Sequence, residues 1–226
     1  MKLTVIIPAY NEVATLTQAV ARVKKIRLPG VGQPEIIVVD DGSTDGTRKK
    51  VSHLSQVTKM YLSKNQGKGA AIRKALTKAR GDYVLIQDAD MEYDPQDIKD
   101  IIKPVLEGKA EVVYGSRFLG PHRNMLFWHL MGNKLLSSLT NILYNTTLSD
   151  MEVGYKLFPT KLLKSLKLTE NRFGFEPEVT CKALRQGIRI FEVPISYTGR
   201  EFHEGKKITW KDGVCALWLI LKFRFQ

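Results

Sequence analysis

Short apolar runs alternate with longer segments of helical spacing from the start of the chain, and this alternation limits the possible folds more than any other feature. Leu3–Pro8 predicts a strand buried on both faces, and Ala14–Ile26 a helix with Leu16, Val20 and Val23 on its apolar side. After a Pro/Gly connector at 29–34, the pattern predicts strands at Glu35–Val39, Thr58–Leu62 and Asp82–Gln87, with helices at Thr44–Leu54 and Gly69–Ala79 between them. Asp94 and Pro95 are a helix start, with Asp94 as N-cap and Pro95 at the first position, for a helix running to Leu106. Glu111–Tyr114 is a fifth strand. Continuous apolar strands spaced by helices indicate a mostly parallel sheet covered on both faces, an α/β fold of Rossmann-like character.

Beyond Arg117 the pattern changes. Asn124–Tyr144 predicts a helix whose Leu126, Phe127, Trp128, Leu130, Met131, Leu135, Leu136, Leu139, Ile142 and Leu143 spread too widely for one narrow stripe. Such a helix is either buried in protein or turned to lipid on one side. A strand at Tyr155–Phe158, a helix at Glu176–Gln186 and a strand at Ile188–Val193 follow. Trp210–Phe225 reads as an interfacial amphipathic helix, with Trp210, Trp218, Phe223 and Phe225 at head-group level and Lys222 and Arg224 on anionic lipid. A single domain spanning 1–226 is expected, because no linker divides it.

The chain has 226 residues and a formal net charge of +12, which favours anionic partners. Arg200, Lys206, Lys207, Lys211, Lys222 and Arg224 are interleaved with aromatic residues, pointing to a membrane surface. Nucleic acid is not expected as a partner, since no readout motif is present. The two cysteines, Cys181 and Cys215, have no metal or redox spacing. The apolar run Val214–Leu221 is far short of the ~18–20 residues that span a bilayer. The N-terminal run stops at Pro8, which does not fit a signal peptide and makes the cytoplasm the expected compartment.

Ligands of open parallel sheets bind beyond the carboxyl ends of the strands. Three polar clusters fall there: Pro8-Ala9-Tyr10-Asn11-Glu12, Asp40-Asp41-Gly42-Ser43 and Asp88-Ala89-Asp90. In an extended segment Asp88 and Asp90 point to one side, so both carboxylates reach one hard cation, magnesium or manganese, with Glu92 placed to join them. Such a cation neutralises a diphosphate leaving group.

The segments Val5–Glu12, Val38–Thr47 and Asn65-Gln66-Gly67-Lys68-Gly69, followed by Asp88-Ala89-Asp90, resemble family 2 inverting glycosyltransferases of the GT-A fold. Gly115-Ser116-Arg117, Asp150–Lys156 and Gly199-Arg200 to Asp212-Gly213 resemble the polyprenyl-phosphate branch, the dolichyl-phosphate mannosyl- and glucosyltransferases. The resemblance covers nearly the whole chain in order. It implies a nucleotide-sugar-binding half at 1–117, an acceptor-binding half at 118–209 and the interfacial helix at 210–226. It implies that Pro8, Ala9, Tyr10 and Glu12 surround the base and ribose, that Asp41 also reads the base, and that Lys68 lies near the nucleotide. Asp88, Ala89 and Asp90 would frame the diphosphate, with Asp88, Asp90 and Glu92 on the metal. Glu92 departs from the Gln frequent in the mannosyl branch, which leaves the donor open between GDP-mannose and UDP-glucose. The acceptor implied is a polyprenyl phosphate at the cytoplasmic face of an anionic membrane, with room for a membrane-anchoring partner subunit.

A phosphate monoester has a second pKa of about 6, so it attacks as a dianion and needs cations more than a base. Arg117, Arg200 and Lys206 are the expected phosphate holders, and 200–207 a candidate lid that carries His203. Asp150 stands where related inverting enzymes have a general base, and it is read equally as a base or as a positioning group; the catalytic set is Asp90, Asp150 and Arg117. Glu176 and Glu178 are read either as an acceptor-site lining or as helix N-terminal acids. Rival readings are a polysaccharide or protein acceptor, a basic nucleic-acid-binding protein and an inactive scaffold.

Overall fold

The computed structural model describes residues 1–123, 125–200 and 210–226. Its frame is one seven-stranded sheet: β1 (Leu3–Ala9), β2 (Glu35–Asp40), β3 (Thr58–Tyr61), β4 (Tyr83–Ile86), β5 (Val112–Ser116), β6 (Lys156–Pro159) and β7 (Ile190–Pro194). The spatial order is β3-β2-β1-β4-β6-β5-β7. β1 pairs in parallel with β2 and β4, and β5 with β7. β6 runs antiparallel to both β4 and β5, so it splices a parallel pair onto the parallel half. The mostly parallel α/β sheet expected from the apolar runs is therefore present, with one reversed strand that periodicity cannot reveal.

The helices are α1 (Leu16–Lys25), α2 (Thr47–His53), α3 (Lys68–Leu76), α4 (Ile98–Leu106), α5 (Phe127–Tyr144), α6 (Thr160–Ser165), α7 (Phe175–Arg185) and α8 (Trp210–Phe225). α2 begins three residues later than expected because Asp45 ties down the turn before it. Its carboxylate accepts from the Thr47 amide at 2.9 Å and from the Val13 amide at 3.1 Å. Asp94 caps the 3-10 turn Pro95–Asp97 that leads into α4, accepting from the Gln96 amide at 2.9 Å.

Val5, Ile6, Ile7, Ile37, Val38, Val39, Leu85, Val112, Val113 and Leu157 are fully buried in the sheet core. A smaller apolar cluster joins Leu136, Met151, Cys181, Ala216, Leu219, Ile220 and Phe223, and holds α8 against α5 and α7. That cluster uses one side of each helix. The other sides expose Phe127, Trp128, Met131, Leu135 and Ile142 on α5, and Trp210, Val214, Trp218, Leu221 and Phe225 on α8. α5 is thus neither an ordinary core helix nor wholly exposed. No helix among the described residues is long and apolar enough to cross a membrane.

Candidate active site

β1, β2 and β4 all deliver their carboxyl ends to one cavity of about 1040 Å³. Pro8, Ala9, Tyr10, Glu12, Asp41, Lys68, Asp88, Ala89, Asp90, Glu92, Arg117 and Arg200 all line it. The crevice expected from the three polar clusters therefore exists. Lys206 and His203, with the rest of the candidate lid at 201–209, lie outside the described residues.

Glu12 is 7% exposed, and its amide donates to Thr47 Oγ1 at 2.8 Å. Asp41 accepts from the amides of Gln66 at 2.8 Å and Gly67 at 2.7 Å, and from Asn65 Nδ2 at 3.1 Å. Its carboxylate thus builds the 65–67 turn that shapes this end of the cavity. Burial raises the Asp41 carboxyl and outweighs those amides, which favour its charge. Gly67 has φ of 100°, and a Cβ there would lie 2.7 Å from Arg172 Cα. Only glycine lets this turn approach the 170–172 segment so closely. Arg172 thereby enters the cavity wall, which no motif indicated.

The Asp88-Ala89-Asp90 segment corrects one expectation. β4 ends at Ile86, and Ala89 and Asp90 form a turn, so the alternation of an extended strand no longer governs the two carboxylates. Asp88 takes Lys68, with Nζ 2.7 Å from Oδ1 and 3.0 Å from Oδ2. Asp90 takes Arg200 at 3.3 Å instead. Glu92 accepts from the Arg200 amide at 2.9 Å and from the Tyr197 hydroxyl at 3.1 Å. Among the described residues, no three Asp, Glu, His or Cys side chains form a metal-holding group. Of the expected Asp88, Asp90 and Glu92 set, Asp88 pairs with Lys68, while Arg200 joins Asp90 to Glu92, the latter at 3.7 Å. Burial, with Asp88 and Glu92 nearby, pushes the Asp90 carboxyl up to about 7, against the pull of Arg200.

Lys68 is held between Asp88 and Glu176, the latter at 2.8 Å. Burial alone would lower its pKa, but the two carboxylates outweigh burial and keep it charged. Arg200 reaches Glu12 Oε1 at 3.0 Å and Oε2 at 3.1 Å. A single guanidinium thus links the first cluster to the third.

Arg117 and Asp150 form the most buried ion pair of the site. Asp150 is fully buried and Arg117 is 8% exposed. Arg117 Nε donates to Oδ2 at 2.7 Å and Nη2 to Oδ1 at 2.6 Å, with the Arg117 amide at 3.1 Å from Oδ2. The guanidinium also lies 5.4 Å from the Tyr197 ring. Both Asp150 oxygens therefore accept from Arg117.

The two acids of the Glu-Pro-Glu segment separate. Glu176 lines the cavity, whereas Glu178 points away and accepts from the amides of Thr169 and Glu170, both at 2.8 Å. Sequence reasoning missed Glu152, Tyr93, His129 and Asn133, which also line the cavity. Tyr93 alone had a local signal, standing three residues after Asp90.

The cavity changes character along its length. From the charged floor it opens between α5 and α8, past Met125, Leu126, Trp128, Leu135, Val214 and Leu217.

The glycosyl transferase family 2 model matches residues 4–167, and the chain belongs to that family of nucleotide-sugar enzymes. The chain is 31% identical over 215 residues to the polyprenol monophosphomannose synthase of Mycolicibacterium smegmatis, covering 89% of this chain and 79% of that protein. It is 27% identical over 198 residues to glycosyltransferase AglJ of Haloferax volcanii, covering 87% of this chain but only 63% of the relative. Among solved structures, glucosyl-3-phosphoglycerate synthase of Mycobacterium tuberculosis, in complex with Mn2+, UDP and glucosyl-3-phosphoglycerate, superimposes with a TM-score of 0.77. That match has 22% identity and covers 99% of this chain and 80% of the other, so it speaks to the fold.

Proposed function

We propose that this enzyme transfers a hexose, mannose from GDP-mannose or glucose from UDP-glucose, to a polyprenyl phosphate at a membrane face, with inversion. The observation that carries the reading is the continuity of one cavity, from a floor of carboxylates and lysine to an apolar groove between α5 and α8. A lipid-linked phosphate has that same division between a charged head and an apolar tail. The 31% identical polyprenol monophosphomannose synthase supports the same acceptor class.

At the donor end, Pro8, Ala9, Tyr10, Glu12 and Asp41 surround the nucleoside, and Lys68, Asp88 and Asp90 meet the diphosphate. The carboxylates Asp88 and Asp90 suit magnesium or manganese. Burial, and next the charges of Asp88 and Glu92, pushes the Asp90 carboxyl up to about 7, and a bound cation would relieve that cost. Such ions accept two protein oxygens and leave places for water and phosphate. When bound, the metal supplies charge neutralisation for the departing nucleoside diphosphate. Lys68 adds its own fixed charge beside that leaving group.

At the acceptor end, an oxygen of the lipid phosphate dianion attacks the anomeric carbon as its bond to the diphosphate breaks. The electron pair leaves on the nucleoside diphosphate, and no proton has to be removed. Arg117 and Arg200 hold the attacking phosphate, and Lys206 completes the set. Asp150 acts as the positioning residue that fixes the Arg117 plane.

The exposed aromatic residues on α5 and α8, with Lys211, Lys222 and Arg224 beside them, support binding to an anionic membrane. Lys222 lies 4.8 Å over the Trp218 ring, keeping charge and aromatic surface together. Flotation with phosphatidylglycerol-containing vesicles is expected to carry the protein upward. Trp128→Ser with Trp218→Ser is expected to leave most of it at the bottom. Wild type that stays at the bottom with anionic vesicles would remove the membrane part of the reading.

A further inference from the structure

Two carboxyl oxygens of residues lining the cavity lack hydrogen-bond partners. Glu176 is 4% exposed, and while its Oε1 meets Lys68 at 2.8 Å, its Oε2 is enclosed and accepts no hydrogen bond. Glu152 lines the same cavity, and its Oε1 is likewise enclosed and unpartnered. Buried acceptors left without donors are rare in native proteins and call for a specific cause.

The neighbouring cations do not supply those donors. The charges acting most strongly on Glu152 are Glu176, Lys156, Arg117 and Asp150. Lys156 donates to the Met151 carbonyl at 2.7 Å and stands 3.6 Å over the Tyr114 ring. Arg117 is committed to Asp150. Lys68 is shared between Asp88 and Glu176.

Position then decides what fits. Lys68 bridges Glu176 to Asp88, so Glu176 lies one ammonium beyond the proposed diphosphate anchor. Gly154, two residues after Glu152, packs so tightly on Asp88 that a Cβ there would overlap Oδ2. The part of a sugar nucleotide that extends past its diphosphate is the hexose. Its hydroxyls are donors, and a carboxylate accepts from two neighbouring donors.

We propose that Glu152 and Glu176 read the hydroxyls of the donor's hexose, with Glu152 as the specificity-determining residue. This rests on the nucleotide-sugar reading above. Burial, and next the charge of Glu176, pushes the Glu152 carboxyl up to about 8, so near neutrality the pair keeps a proton. One carboxyl then donates while the other accepts, which matches a particular arrangement of adjacent hydroxyls and penalises epimers that reverse one of them.

The test is calorimetric binding of UDP, GDP, UDP-glucose and GDP-mannose, each with Mn2+, to wild type, Glu152→Ala and Glu152→Asp. Glu152→Ala removes both donor and acceptor and is expected to weaken the sugar nucleotide about tenfold, the effect of one lost hydrogen bond, with the matching nucleoside diphosphate changed less than twofold. Glu152→Asp, which keeps the carboxyl but shortens its reach, is expected to fall between wild type and Glu152→Ala and covers the case of a poorly folding alanine variant. Equal weakening of nucleoside diphosphate and sugar nucleotide, or no weakening of either, would overturn the proposal and leave the transferase reading intact. Wild type that binds none of the four ligands would overturn both.

Discussion

Replacing Asp150 with Asn removes the charge opposite Arg117 while nearly preserving the shape. Asp150 is fully buried and accepts three hydrogen bonds from Arg117, at 2.6, 2.7 and 3.1 Å. Asn keeps one acceptor oxygen, but its amide NH2 meets a guanidinium that has no lone pair to offer. Breaking one partner of a buried pair costs about 3–5 kcal/mol, chiefly because the other charge stays buried and unpaired. At about 2–4 °C per kcal/mol for a domain of this size, the melting temperature should drop by roughly 6–20 °C. Urea unfolding at pH 7 reads the free energy, and thermal melting checks it. The double substitution Arg117→Met with Asp150→Leu is expected to regain much of the loss, since two apolar side chains carry no desolvation cost. A loss below about 1 kcal/mol in the single variant would show the pair to be effectively solvated, and would refute its positioning role.

Gly154→Ala places a methyl against Asp88 Oδ2 and 3.1 Å from the Tyr93 ring, so the carboxylate has to turn away from Lys68. Calorimetry with UDP and Mn2+ is expected to show at least a tenfold loss in affinity, and unchanged affinity would detach Asp88 from the diphosphate site. The Glu152 carboxyl, near 4.5 when unfolded, is pushed up to about 8 by burial and by Glu176. The folded state then binds more protons than the unfolded state across that window, so this group makes stability fall as pH rises. Glu152→Gln removes the effect, and its stability relative to wild type should rise by roughly 2–3 kcal/mol between pH 5 and 7, as read by urea unfolding. Lys156, lowered to about 7 chiefly by burial, contributes with the opposite sign from about pH 6 upward and offsets part of the change near pH 7. A flat difference between the two proteins would mean that Glu152 is ionised in the fold.

The donor half was legible because its signals are local. A continuous apolar strand followed by a polar cluster fixes both the element and the end at which ligand binds, and β1, β2 and β4 all behave so. What escaped depends on contacts distant in sequence. β6 looks like any short apolar strand, and its reversal between β4 and β5 follows from where the chain returns after α5. The Asp-x-Asp spacing predicts two carboxylates on one side of a strand, but the strand stops at Ile86, and the two pair with different cations, Lys68 and Arg200. The pairing of both Asp150 oxygens with Arg117 joins residues distant in sequence, so no local pattern could show it. Glu152 lies inside the Asp150–Lys156 segment, but its enclosure beside other acids is not visible in any spacing. The wide apolar distribution on α5 was visible, yet only the packing of α8 shows which side is covered and which is bare.

The central claim joins a nucleotide-sugar floor to a lipid-phosphate groove, and sugar transfer tests both at once. Radiolabelled GDP-mannose and UDP-glucose would be supplied separately with Mn2+, polyprenyl phosphate in anionic vesicles and, in parallel, water-soluble 3-phosphoglycerate. Label is expected in the organic-extractable lipid from one of the two donors, and to be absent with Asp90→Ala. Label appearing in phosphoglycerate and never in the lipid, under conditions where the donor is consumed, would contradict the account.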